Sequence, residues 1–313
     1  MRLLRSELLR ARSRRLVPMV IVGGLVAIVV GLGIAAINAD QPSAAQVAEA
    51  QARYDKYFQR CLDSQEQANG GQLPPGYADA EEYCRETSGP YLDGVLLRDL
   101  DVILQGIATF VVLLGTLLAA SLGGADWTNN TMTTLLTWEP RRVRVFFTRA
   151  LVVVMFVAVI TVFLQVVFAG VYALVAATRG STLFLPSNFV TDVAATIGRV
   201  SAMAIALGLV AYVVAMIGRS TVSSLGAVFG YLILFEGVIA GFRPSIQGSL
   251  LVRGASVIVS QQPILDYRHG YGFDGYGAAS ILMDVHRAWI VVAVYVVVLT
   301  ALSVLQYQRR DVT

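Results

Sequence analysis

Lysine is nearly missing from this chain: of its 24 basic residues only Lys56 is a lysine. A phosphate-cradling G-x-x-x-x-G-K-[ST] loop is therefore not formed, and neither H-E-x-x-H nor G-x-S-x-G occurs. Enzyme chemistry within the chain is not expected. Histidine is confined to His269 and His286, and cysteine to Cys61 and Cys84. No histidine lies near the cysteines in sequence, so no metal or resident cofactor is expected, and no nucleic-acid partner. Charge is scarce too. Only 14% of the residues are charged, against about a quarter in a soluble domain, which argues against a soluble protein with an ordinary core.

What the chain has is apolar length. Of its 313 residues 56% are hydrophobic, and the mean hydropathy is +0.65. Six runs approach or exceed the roughly 20 apolar residues a helix needs to cross a bilayer: Leu16–Ile37, Val102–Leu122, Ala150–Ala177, Ala194–Ile217, Val222–Gly241 and Ala288–Leu305. The third is over-long and is expected to tilt or to run beyond the lipid. The first is too long for a signal-peptide core and follows 15 residues with six arginines, so it is read as a retained span. The expected fold class is an all-α polytopic membrane protein.

Charge sets an expected orientation. Residues 1–15, the loop 123–149, Arg219 and the C-terminal Arg309 and Arg310 share one side of a six-span topology. That side carries 13 basic and 4 acidic residues and the other 11 and 17, giving +9 and −6, which sum to the net +3. The positive-inside rule then puts both termini in the cytoplasm. Arginine so far in excess of lysine is a compositional hint of a GC-rich bacterial genome, hence of a bacterial cytoplasmic membrane. Cys61 and Cys84 fall in segment 38–101, external in this topology, where two thiols read as a disulfide or as two unpaired thiols.

Several segments carry a second signal. In residues 1–15, Leu4, Leu8 and Ala11 share a helical face among arginines: an amphipathic elbow helix in the headgroup layer, or a basic flank that fixes orientation. In "SAAQVAEAQARYDKYFQRC", Val47, Tyr54, Phe58 and Cys61 share a helical face, "NGGQLPPG" breaks it, and "DAEEYC" follows. This is an external helical cap, acting as a gate or as a packing module. In segment 242–287, "LLVRGASVIVS" is too short to span and reads as a re-entrant or interfacial helix, and "YRHGYGFDGYGAAS" as a flexible loop. Arg199 and Glu236 sit inside spans 4 and 5 at similar depth, about 7–8 Å below the outer boundary. They are expected either to pair across the two helices or to snorkel separately.

The most distinctive stretch is "GGADWTNNTMTTLLTWEPRRVRVFFTRA", Gly123 to Ala150. Asn and Thr open it as helix caps, Met132, Leu135 and Leu136 form an apolar patch, Pro140 stops the helix, and Arg141, Arg142 and Arg144 follow. A short helix of this kind under a membrane docks a cytoplasmic partner or lies on anionic lipid. The block resembles the cytoplasmic coupling loop of ABC-2 type permeases, the membrane subunits of ATP-driven exporters. The match is carried by Asp126-Trp127, Thr131, Leu135-Leu136, Pro140, Arg142 and Arg149, with Asp126 where Glu is usual, Asn130 where Gly is usual and Arg149 where Lys is common.

The resemblance implies one permease domain over 1–313. It also implies a second permease chain, identical or a close paralogue, surrounding lipid, and a separate ATPase subunit that binds ATP and magnesium. It assigns Asp126, Trp127, Thr131, Met132, Leu135, Leu136, Pro140, Arg141 and Arg142 to ATPase coupling, with Trp127, Met132, Leu135 and Leu136 as the docked face. Family analogy points to a hydrophobic or amphipathic cargo (drug, antibiotic, lipid or glycoconjugate). Phe110, Phe156, Phe163, Phe168 and Phe229 suit such cargo, or simply face lipid and packing partners. A gradient-driven transporter would want several acidic groups at mid-membrane and repeat symmetry. Only Arg199, Glu236 and neutral groups such as Gln165 lie within the spans. A non-transporting assembly or sensor subunit stays open as a further alternative.

Overall fold

The structure is a computed structural model describing residues 2–39, 41–67, 80–89, 92, 94–128, 141–183, 185–186, 188–266 and 280–309. Among these the chain is overwhelmingly helical. In order, the helices are α1 (Arg2–Arg12), α2 (Leu16–Ile37), α3 (Ala44–Gln67), α4 (Ala80–Thr87), α5 (Leu100–Thr128), α6 (Arg142–Arg179), α7 (Phe189–Gly218), α8 (Thr221–Phe242), α9 (Leu251–Ser260) and α10 (Val285–Arg309). Six of them, α2, α5, α6, α7, α8 and α10, are long and apolar enough to cross a membrane. The 38 residues of α6 make a helix about 57 Å long, well beyond a hydrocarbon core of about 30 Å.

Local chemistry sets the ends. Pro18 sits in the first turn of α2, where its missing N–H has no helical partner. Ser43 and Gln46 form a reciprocal capping box ahead of α3 (2.7 and 3.3 Å). Arg219 takes a left-handed conformation (φ 53°) to reverse the chain between α7 and α8. Ser220 then caps α8 through the N–H groups of Val222 and Ser223. Midway along, α8 widens into a π-helix over Leu232–Ile239.

The chain forms two compact units. One comprises Val26–Ile103 and Val167–Ala194. In it α3 and α4 are joined by a Cys61–Cys84 disulfide with the Cα atoms 5.6 Å apart. Val47, Tyr54, Phe58 and Cys61 are half-buried along α3 while most of the helix is exposed. A parallel bridge links Leu96 to Ser181, and the Tyr172 hydroxyl donates to the Leu96 carbonyl (2.8 Å).

The other unit comprises Met1–Leu25, Leu104–Val166 and Ala195–Thr313. Its centre is a seam of small residues. Gly115 and Ala119 on α5 face Ala204 and Gly208 on α7, so closely that a Cβ on Gly115 or Gly208 would stand 3.3 Å from the facing alanine's. Four-residue spacing on both helices is the small-xxx-small pattern by which apolar helices approach. Gln165 of α6 donates to the Ser201 hydroxyl of α7 (2.9 Å) in the buried interior. The short α9 buries Leu251, Gly254, Ala255, Val257, Ile258 and Val259 and packs on α10. The all-helical expectation needs one small correction: Ile264–Asp266 pairs antiparallel with Ser280–Met283. The Tyr/Gly-rich loop between those strands lies outside the described residues.

Candidate functional site

The expected loop 123–149 is shorter than its polarity suggests. The α5 helix runs on through Asp126 and Trp127 to Thr128, and α6 starts at Arg142. Thr131, Met132, Leu135, Leu136 and Pro140 lie outside the described residues. Arg141 is exposed and Arg142 half-buried at the start of α6.

Asp126 is buried and Trp127 half-buried at the end of α5. Asp126 is 4% exposed, and its carboxylate is paired with both Arg14 and Arg149. Arg149, also 4% exposed, reaches Glu7 at 3.2 Å, and Glu7, 6% exposed, faces Arg10 at 3.6 Å. Arg14 also donates to the Ser121 carbonyl (2.9 Å). Burial, then the neighbouring Arg149 and Arg10 charges, push the Arg14 guanidinium down to about 10, with Glu7 acting the other way. It stays charged at neutral pH.

The arrangement is a knot of two acids and three arginines tying α1 to the end of α5 and the beginning of α6. The buried charges among them, Glu7, Asp126 and Arg149, are tolerated only because each is paired. Glu7 is the residue that sequence reasoning missed. It shares with Leu4, Leu8 and Ala11 the half-buried or buried face of α1, at the spacing of one helical stripe. Through Glu7 this stripe contributes to the knot.

Beside the knot, Trp127 donates to the Met216 sulfur (3.4 Å), meets Tyr307 edge-on (6.2 Å) and lies 5.0 Å under the Arg219 guanidinium. Gly124 permits a close approach here. A Cβ at that position would fall 2.7 Å from the Ser220 carbonyl carbon and the Thr221 Cα, so a side chain would force the end of α5 and the start of α8 apart.

Of the two expectations for Arg199 and Glu236, the cross-helix pair is not the one seen. Arg199 donates to Thr196 of its own helix (2.6 Å), and its buried Nε has no hydrogen-bond partner. Glu236 accepts from the Val252 N–H (2.7 Å) at the start of α9 and lies 4.0 Å from Arg253. Equal depth in two helices does not give equal facing, and the π-helical stretch that carries Glu236 turns it toward α9.

The same unit contains a partly open cavity of about 530 Å³ walled by α5, α7, α8, α9 and α10. Nothing charged lines it, and most of the lining is aliphatic. Among the described residues no three His, Cys, Asp or Glu side chains gather as metal ligands. No protein-family model matches the chain, and no curated protein or solved structure matches it either.

Proposed function

We propose that this chain is the membrane-spanning permease subunit of an ATP-driven exporter of the ABC-2 type, moving a hydrophobic or amphipathic cargo outward by alternating access. Both termini are then cytoplasmic, the membrane is a bacterial cytoplasmic membrane, and a second permease chain completes the transporter. ATP and magnesium are bound by a separate ATPase subunit docked on the segment between α5 and α6.

The observation that carries this reading is the buried knot. It binds α1 and both flanks of the coupling segment into one joint, because Asp126 lies two residues before the end of α5 and Arg149 lies in the second turn of α6. A push delivered to the intervening residues is passed to two spans and to α1 together. Tight pairing resists local bending, so the elements move as a body. Support from the sequence is the block Asp126–Arg149, the +9 against −6 charge balance and the six long helices.

The test is Leu135→Asp, which puts a charge on the face assigned to the ATPase. Export, and ATP hydrolysis stimulated by the permease, are expected to be abolished, with the chain still in the membrane at its normal level. Export that survives this change would remove the docking assignment.

A further inference from the structure

We infer that the cavity walled by α5, α7, α8, α9 and α10 is a binding site for a single hydrocarbon tail, the acyl chain of a lipid or of a single-chain amphiphile. The inference stands on the cavity alone and holds whether or not the chain is a permease.

Chemistry of the walls selects the occupant. No lining residue is charged, so nothing there compensates an ionic ligand. Of the seven polar side chains on the wall, four bond to the protein's own backbone. Thr116 donates to the Val112 carbonyl (2.8 Å) and Ser256 to the Arg253 carbonyl (2.8 Å). The Tyr231 hydroxyl accepts from the Leu251 N–H (2.9 Å), and Tyr295 donates to the Ser249 carbonyl (3.3 Å). A water molecule needs two to four polar partners to be held, and walls of this kind are poor at supplying them. A volume of about 530 Å³ falls in the range of roughly 300–1,000 Å³ typical of ligand pockets. What remains is an apolar guest.

The shape of one wall adds a second argument. Leu232 lines the cavity and opens the π-helix of α8, where the wider turn frequently marks a functional site. Tyr231, just before it, stacks on Phe235 (5.4 Å) and meets Tyr295 of α10 edge-on (6.2 Å). The two tyrosines stand at the wall between α8 and α10. The site reads the tail and makes no demand on the head.

The test uses the full chain in mild detergent with two photoreactive probes: palmitic acid carrying a diazirine at its terminal carbon, and a phosphatidylcholine with the same labelled tail. Cross-links are expected to concentrate on wall residues such as Leu207, Leu232 and Val259. Ala255→Trp, which fills the cavity, is expected to cut that labelling about tenfold, the loss expected when two methylenes are denied burial. Should Ala255→Trp fail to fold, Ala227→Trp serves, because Ala227 lines the same cavity and is exposed.

Fatty-acid labelling erased by excess unlabelled phospholipid identifies the guest as a bilayer lipid. Labelling that persists identifies a single-chain amphiphile. The inference is overturned if cross-links spread as densely over the exposed α2 residues Val22, Val26 and Val29 as over the cavity walls, or if neither tryptophan variant changes them.

Discussion

The charge knot and the apolar cavity belong to the same unit and are opposites. At the knot two acids hold three arginines and there is almost no space. In the cavity there is space for a ligand and no charge at all. A joint assembled from short ion pairs has one good arrangement and resists deformation. A chamber lined by aliphatic groups tolerates many shapes of guest, since dispersion and hydrophobic contact are not directional. In a transporter the first property suits transmission of force and the second suits cargo or lipid.

The contrast is broken most severely by Asp126→Ala. It leaves Arg14 and Arg149 buried without their shared carboxylate, and a loss of about 3–5 kcal/mol is expected, read as a lowered unfolding midpoint of the purified chain. An unchanged midpoint would mean that the knot is not a structural joint. Removing the disulfide with Cys61→Ser and Cys84→Ser sharpens the comparison by acting in the other unit. With a sequence separation of 23 residues, loop entropy sets the loss at about 3 kcal/mol. That loss is expected in the unit containing α3 and α4, read as faster proteolysis there, with cavity labelling unchanged. The smallest effect is that of Ala227→Trp. As a change at an exposed position it should move stability by no more than about 0.5 kcal/mol while lowering tail labelling. A large loss of stability instead would show the cavity to be a packing feature.

Much of the fold was legible because bilayer-length apolar runs are long and unambiguous, and all six appear as helices. Their ends were not, because hydrophobicity falls before helicity does. Asp126 and Trp127 continue α5, and Arg142, Arg144 and Arg149 begin α6, with Asp126 and Arg149 compensated by partners distant in sequence. Glu7 hid among arginines, although its spacing from Leu4, Leu8 and Ala11 placed it on the inward stripe. Whether Arg199 and Glu236 pair was not legible, because equal depth along two helices does not say which way each side chain faces. The small-residue spacing of Gly115 with Ala119 and of Ala204 with Gly208 was a readable signal for the α5–α7 seam. A cavity leaves no such trace, since it is produced by the packing of five helices whose separate sequences give no hint of the gap.

One measurement bears most directly on the permease reading: purification of the tagged chain from its own membranes in mild detergent, with co-purifying subunits identified and assayed for ATP hydrolysis. A stoichiometric ATPase subunit carrying its own phosphate-binding lysine, and lost from the Leu135→Asp chain, is the expected result. A chain that purifies with no ATPase would contradict it, and would turn attention to gradient-driven transport or to a non-transporting membrane subunit.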